Sequence, residues 1–218
     1  MNHKDDLDSI AERIRESFDI RTQIRDQALA QTRTLTRHCA NAIRAIHRDE
    51  NQLALEYLDQ ARQLVEELHS NLAGHPDLLY AGYTQDALKE YAEANLVRAF
   101  VTNSPLPRPE QLGLDDATYL QGLAESTGEL RRRCMDILRH GHSDEAERLL
   151  AHMDDIYAVL VTMDYPDAIT GGLRRLTDVA RGVTERTRGD MTISLRQEKL
   201  EGSLKELQAK LPDRDYQE

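Results

Sequence analysis

Two acidic pairs are the residues whose types and spacing best suit chemistry. Glu90 and Glu93 lie three apart in a segment, residues 88–100, with the apolar spacing of a helix, and both point toward the side of Val97 and Phe100 that should be buried. Burying carboxylates is costly unless a positive group meets them. Two acids on one helix face can share a hard divalent cation, and oxygen ligands favour Mg²⁺, Mn²⁺ or Ca²⁺. The pair is a candidate metal site, with an ordinary arginine partner in the core as the alternative.

The second pair, Glu125 and Glu129, is spaced four apart on the next predicted helix. On the same face of the predicted helix the pair is followed by Arg132 and Asp136, and such a line of charged residues is typical of a solvated face. Gly128 lies inside this helix, where glycine lowers helix propensity by about 1 kcal/mol relative to alanine, so we expect it to mark the close approach of another backbone or of a ligand. Four carboxylates on two neighbouring helices could hold an ion that polarises a phosphoryl oxygen and supplies hydroxide, as phosphodiester hydrolysis needs.

Arginines are concentrated in one predicted helix. Residues 20–48 contain six arginines and one acidic residue, Asp26. At about 100° per residue, four of the arginines fall within a stripe of about 60° opposite the apolar residues, with His47 beside it. The stripe consists of Arg33, Arg37, Arg44 and Arg48. A solvated face normally mixes charges of both signs, and this one does not. Since arginine matches phosphate with bidentate geometry, the stripe favours binding of a phosphate backbone, with a plain solvated face as the alternative.

Composition limits the function classes. The 218 residues include 28 Lys+Arg and 39 Asp+Glu, a net charge of −11, which argues against gripping nucleic acid with the whole surface. Two cysteines, Cys39 and Cys134, provide no disulfide framework and could build a structural zinc site only with much help from histidine, so a cytoplasmic location is expected. The longest apolar run, residues 156–161, is too short to span a bilayer, and no signal peptide is recognisable.

The elements that position these residues are predicted to be helices. Glycine and proline are few, aromatic content is 5% and Trp is absent, which disfavours β architectures. Apolar residues recur at helical spacing, most clearly over residues 53–72. The expected fold is an all-α, seven-helix bundle protomer, with a single domain over 1–218 because no linker-like composition accompanies residues 103–113. The predicted helices lie near 4–47, 51–73, 77–102, 114–140, 143–163, 166–188 and 191–210.

Three details of these helices can be checked. The first is long, so we expect it either to break near residue 20 or to pack lengthwise in a bundle or against a partner chain. Ser143 is expected to cap the fifth helix. Pro166 is expected in the first turn of the sixth, where its missing N–H is unneeded.

The order and spacing of several short strings resemble the translin/TRAX family over nearly the whole chain. The strings are RTLTR at 33–37, IRAIHR at 43–48, EYAEA at 90–94, TGEL at 127–130 and RC at 133–134. The resemblance implies an all-α, seven-helix protomer that assembles into a closed octameric shell and binds single-stranded or duplex RNA, and sometimes DNA, on its inner surface. An acidic exterior with a basic inner stripe would fit the net charge.

The resemblance also implies chemistry, because the TRAX branch is a Mg²⁺-dependent endoribonuclease whereas the translin branch mainly binds. The Glu-Tyr-x-Glu-Ala string of TRAX matches Glu90 and Glu93, and its Asp-Leu-Thr-Gly-Glu-Leu string matches Glu125 and Glu129. Glu125 stands where TRAX has aspartate. We therefore expect a TRAX-like endoribonuclease that uses Mg²⁺, with Mn²⁺ as a possible substitute. Its RNA substrate would be enclosed in a homo-oligomer, and the arginine stripe and His47 would line the RNA-binding interior.

Two other functions are open. One is a translin-like protein that binds RNA or single-stranded DNA without turnover, in which the carboxylates are structural. The other is a helical scaffold whose 33–48 face docks an acidic protein. No membrane partner is expected.

Overall fold

A computed structural model describes residues 3–141 and 143–210. All regular structure in these residues is helical, which confirms the all-α prediction, although they form nine helices rather than seven. The helices are α1 (His3–His47), α2 (Asn51–Leu72), α3 (Pro76–Leu79), α4 (Gly82–Thr102), α5 (Pro109–Leu112), α6 (Asp116–Leu138), α7 (Asp144–Leu160), α8 (Asp167–Thr170) and α9 (Leu173–Lys210). None of the described helices is both long and apolar enough to cross a membrane.

The described residues group into two compact units. Unit 1 contains residues 3–99 and 104–122, and unit 2 contains residues 100–103, 123–141 and 143–210. The single domain expected over 1–218 stays a prediction.

Helix α1 dominates unit 1. It runs for 45 residues without a break near residue 20, because no glycine or proline interrupts it. Its carboxyl-terminal half packs lengthwise along α2, as one of the two expected alternatives required. Buried α1 residues recur every three or four positions, from Ala28 to Ile46, and meet an equally regular stripe on α2 from Ala54 to Leu72. The amino-terminal half of α1 leaves apolar residues such as Leu7 and Phe18 exposed.

The helix predicted near 77–102 is divided in two. Thr84 donates a hydrogen bond to the Leu78 carbonyl at 2.8 Å, and the Gln85 amide donates to the Leu79 carbonyl at 2.9 Å. These side chains satisfy the carbonyl groups left open where α3 ends, so the chain turns before α4 begins. The expected loop at 103–113 also contains α5, which ends at Gly113 with a left-handed φ of 66°.

The two last predicted helices are joined instead of separated. Helix α9 continues through Gly189, since one glycine in a helix costs only about 1 kcal/mol relative to alanine. The break lies earlier, where Gly171 and Gly172 adopt φ values of 59° and 85° between α8 and α9. Pro166 is the N-cap residue of α8 rather than part of its first turn.

Unit 2 is built around the packing of α7 and α9. The predicted cap of α7 is confirmed, since the Ser143 hydroxyl accepts a hydrogen bond from the Ala146 N–H at 3.3 Å. The guanidinium of Arg148 donates to the carbonyls of Phe100 and Val101 at 2.7 and 3.2 Å. It thereby satisfies two carbonyl groups at the carboxyl end of α4.

Candidate functional site

The arginine stripe lies on the solvent side of α1. All four members, Arg33, Arg37, Arg44 and Arg48, are exposed, and the opposite side of the helix carries the residues buried against α2. His47 is half-buried at the edge of the stripe. The four arginines span about 22 Å at 1.5 Å per residue. The sequence therefore placed this charged face correctly relative to the core.

None of the stripe arginines has an acidic partner among the described residues, unlike Arg62 and Arg181, although exposed arginines elsewhere, such as Arg13 and Arg175, share this property. Arg62 pairs with Glu66 at 3.0 Å, and Arg181 pairs with Glu185 at 2.9 Å. Within residues 3–141 and 143–210, no member of the stripe makes an ion pair, and Arg44 donates instead to the Asn41 amide oxygen at 3.0 Å. A row of cations without carboxylate partners is available to an external anion.

Glu90 and Glu93 occupy the inner side of unit 1. Both are half-buried on α4, between fully buried neighbours such as Tyr91 and Ala94. Burial raises the pKa of the Cys39 thiol well above its usual range, and the charges of Glu90 and Glu93 raise it further. Both carboxylates therefore lie near Cys39 of α1. The prediction that this pair sits on or beside a buried face is confirmed.

The backbone of α6 comes into direct contact with α4 next to Glu93. A Cβ atom at Gly122 would lie 2.6 Å from the Ala92 Cβ, 2.8 Å from the Lys89 carbonyl oxygen and 3.0 Å from the Glu93 amide nitrogen. Only glycine allows the two helices to approach this closely. Gly122 is thus a residue that sequence reasoning missed, although a glycine inside an apolar helical pattern was a usable signal.

Gly128 does not have the role expected for it. It is exposed, and a Cβ at this position would have no neighbour within 4 Å in the part of the chain that the structure describes. The expectation of a close approach at Gly128 is therefore wrong. The sequence alone offered two glycines in one helix, and only the packing distinguishes them.

Glu125 and Glu129, the second acidic pair, are less exposed than side chains of the solvated face to which the sequence assigned them. Glu125 and Glu129 are both half-buried on α6, and the adjoining residues Ser126 and Thr127 are fully buried. Glu129 lies 3.5 Å from the guanidinium of Arg132. This ion pair is partly exposed and contributes little to stability.

The donor chemistry of the two pairs can be compared with the needs of a metal ion. Among the described residues, no group of three or more His, Cys, Asp or Glu side chains is arranged to hold one. Mg²⁺ commonly takes only one or two carboxylates from a protein and completes its octahedron with water and phosphate oxygens. Each glutamate pair supplies hard oxygen ligands of this kind, whereas a zinc site would need histidine or cysteine. Convergence of all four glutamates stays a prediction.

Comparison with known proteins places the chain in a structural context. No protein-family model matches it. It is 30% identical over 188 residues to the uncharacterized protein MJ0175 of Methanocaldococcus jannaschii, covering 85% of this chain and 82% of the relative.

Solved structures resemble the chain over most of its length. A complex of AfC3PO with duplex RNA matches with a TM-score of 0.78 and 29% identity, covering 86% of this chain and 97% of that one. AfC3PO in a second crystal structure matches with a TM-score of 0.78 and 28% identity over the same shares. NeC3PO without ligand shares the fold, with a TM-score of 0.77 and 18% identity over 84% of this chain and 96% of its own. The chain therefore belongs to the family of MJ0175 and has the all-helical C3PO/translin fold.

Proposed function

We propose that this protein binds duplex RNA through the arginine stripe of α1 and cleaves it as a TRAX-like, Mg²⁺-dependent endoribonuclease within a homo-oligomer, an octamer by family resemblance. The observation that carries the RNA-binding part is the similarity to AfC3PO, a protein solved in complex with duplex RNA, at 29% identity over 86% of this chain. The cleavage part of the proposal rests in addition on the two half-buried glutamate pairs. The proposed location is the cytoplasm.

The arginine stripe supplies the chemistry for holding the RNA. Arginine binds phosphate oxygens with two parallel N–H donors, and duplex RNA is recognised mostly by its shape, its phosphates and its 2′-hydroxyls. Such contacts position the backbone without reading bases. His47 at the edge of the stripe can donate one further hydrogen bond to the backbone. Binding is therefore expected to depend strongly on salt and weakly on sequence.

The glutamates supply the chemistry for cleavage. Mg²⁺ polarises a phosphoryl oxygen and lowers the pKa of a bound water when it is present. Glu90 and Glu93 would each present one carboxylate oxygen from the same face of α4, one turn apart. Glu125 has a longer arm than the aspartate that TRAX carries, and Glu129 must exchange its contact with Arg132 for the ion.

Cleavage of labelled duplex and single-stranded RNA, with and without Mg²⁺, tests this assignment. Glu90→Gln combined with Glu93→Gln removes two anionic ligands at nearly constant volume, so cleavage should be lost while RNA affinity changes little. Glu66→Gln on α2 is the matched control, because Glu66 is an exposed surface acid paired with Arg62. Retained cleavage in the double variant would exclude these carboxylates as ligands.

A second candidate function is RNA or single-stranded DNA binding without turnover. It is favoured by the ion pair of Glu129 with Arg132 at 3.5 Å, because a carboxylate already neutralised by arginine has less need of a metal. This alternative predicts salt-sensitive binding with no products in either Mg²⁺ or Mn²⁺. A wild-type protein that cleaves RNA only when Mg²⁺ or Mn²⁺ is added would reject it.

A further inference from the structure

The carboxyl-terminal half of α9 carries a row of apolar side chains that are open to solvent. The row, here called the α9 stripe, consists of Ile193, Leu200, Leu204 and Leu207, whose side chains are 51–65% exposed. At about 100° per residue, all four fall within a sector of about 60°. The residues that α9 buries in unit 2, such as Thr184 and Met191, lie on the other side of the helix. The α9 stripe therefore faces away from the packed side of α9.

Two grooves in unit 2 show which sides of α9 have neighbouring helices. One groove lies between α7 and α9, and Arg196 borders it. The other lies between the carboxyl end of α6 and α9, and Gln197 and Glu201 border it. None of the four α9 stripe residues lines either groove. The stripe therefore lies on the third side of α9, which α6 and α7 leave open.

This half of α9 needs packing that the described chain does not supply. Residues 196–210 are all exposed, although they continue the helix. An isolated helical segment of this length is marginal in water, because most helical stability in proteins comes from packing of an apolar face. Gly202 lowers the helix propensity of the segment further. A partner on the α9 stripe would stabilise this half of the helix.

The α9 stripe has the heptad spacing of a coiled coil. In heptad letters, Ile193, Leu200 and Leu207 occupy d positions, and Gln197 and Leu204 occupy a positions. The two flanks of this seam differ in charge. The charged residues at the g positions are Arg196 and Lys210, whereas the charged residue at the e positions is Glu201. The remaining e and g positions of the segment carry the uncharged residues Ser194, Ser203 and Gln208.

A basic flank opposite an acidic flank fits a second copy in the parallel orientation. In a parallel pair, Arg196 at g faces Glu201 at the following e position of the second copy, and Gln197 faces Gln197. In an antiparallel pair, Arg196 would face Lys210, Glu201 would face Glu201, and the Gln197 amide would lie against a leucine. In the part of the chain that the structure describes, neither Arg196 nor Glu201 makes an ion pair, so both charges are available to a second copy.

We propose that two copies of this chain pair in parallel through the α9 stripe, over residues 193–210, about a two-fold axis along the helices. The interface is isologous, so each contact occurs twice. The seam ends at Ile193, because the preceding d and a positions hold Arg186 and Asp190, which would each face a like charge. Asp190 is already bound to Arg131 at 2.8 Å.

The length of the seam sets the strength expected of the pair. Residues 193–210 span about 26 Å at 1.5 Å per residue, which is about two and a half heptads. Association through this contact alone is therefore expected to be weak and to depend on protein concentration. The pairing goes beyond the proposed function and uses no residue of the arginine stripe or of the glutamate pairs. It adds a contact between copies without occupying the face assigned to RNA.

Disulfide trapping of the full chain tests the pairing directly. Gln197→Cys places one thiol of each copy at the seam, where the two thiols meet only in the parallel orientation. Glu198→Cys, the matched control on the next residue, points away from the seam. The native Cys39 and Cys134 are both fully buried and give little background. Under mild oxidation at matched concentration, Q197C should form a covalent dimer at least ~10-fold faster than E198C, because pairing raises the local thiol concentration.

Equal rates for Q197C and E198C would overturn the pairing, whether the stripe is covered by another partner or by none. That result would leave the proposals for RNA binding and cleavage untouched, because they rest on other residues.

Charge exchange tests the register. In the Q197C background, Arg196→Glu sets a carboxylate against Glu201 of the second copy and should slow trapping at least ~3-fold at low salt. Adding Glu201→Arg to the same chain makes the facing pair opposite in sign again and should restore the rate. Trapping that ignores the first change, or is not restored by the second, would overturn the proposed register.

Removal of the apolar seam tests the driving force. Leu200→Gln combined with Leu204→Gln replaces two exposed leucines by good helix formers, so the fold of each copy should be unaffected. In the Q197C background the double change should reduce trapping to the E198C rate, while far-UV circular dichroism of dilute protein stays the same. Unchanged trapping with the seam removed would overturn the proposal.

Discussion

Gly122 gives the most direct test of how the structure positions Glu93. Gly122→Ala introduces a Cβ only 2.6 Å from the Ala92 Cβ and 2.8 Å from the Lys89 carbonyl oxygen. Because apolar contacts are relaxed near 3.5–4.0 Å, α4 and α6 would have to separate by about 1 Å. Overpacking of this kind costs about 3 kcal/mol, of which about 1 kcal/mol is returned by the better helix propensity of alanine. We expect a net loss of about 2 kcal/mol in the free energy of unfolding.

Gly128→Ala is a matched control on the same helix. Its new Cβ meets no atom within 4 Å among residues 3–141 and 143–210, so only the gain in helix propensity remains. The expected effect is a stabilisation of up to about 1 kcal/mol. The same substitution six residues apart is thus predicted to have opposite signs.

Thermal unfolding followed by far-UV circular dichroism at matched protein concentration measures both effects. For a chain of this length, each kcal/mol corresponds to about 2–4 °C in Tm. Gly122→Ala should therefore lower Tm by about 4–8 °C, and Gly128→Ala should raise it by about 2–4 °C. A Gly122→Ala protein at least as stable as Gly128→Ala would show that α4 and α6 are not in backbone contact at this position.

Two further predictions concern the arginine stripe and a buried thiol. Replacing Arg33, Arg37 and Arg48 by alanine removes three phosphate contacts, so the slope of log K for duplex RNA against log salt should become shallower by about 2–3. Arg181→Ala, which removes an arginine paired with Glu185 at 2.9 Å, should leave the slope unchanged, and an unchanged slope in the triple variant would contradict the assignment. Burial, reinforced by the charge of Glu145, raises the pKa of Cys134 from 9.0 to about 11. The folded state favours the neutral Cys134 thiol. Its contribution to the free energy of unfolding is therefore fully present below pH 9 and is lost as the pH rises toward 11. Urea unfolding at pH 8 and pH 10.5 should show a smaller decrease in stability for Cys134→Ser than for the wild-type chain, and equal decreases would count against this cause.

The glutamate pairs show which features of the candidate site follow from the geometry of a single helix. Spacing along one helix places Glu90 beside Glu93, and Glu125 near Glu129, because the turn of a helix is set by the backbone. Apolar periodicity also predicted that the first pair lies at a buried face, and its proximity to Cys39 agrees. Whether the two pairs share one ion depends on contacts between residues far apart in sequence, which periodicity does not encode.

The sequence by itself determined the all-helical class, the cap at Ser143 and the separation of the arginine stripe from the core of α1, since each follows from interactions within one or two turns. Only the tertiary structure decided which glycine matters. Gly122 lies against α4, a Cβ at Gly128 would meet no atom of the described residues within 4 Å, and Gly189 does not interrupt α9. A glycine has the same local propensity at all three positions, so its role depends on what the fold brings against it.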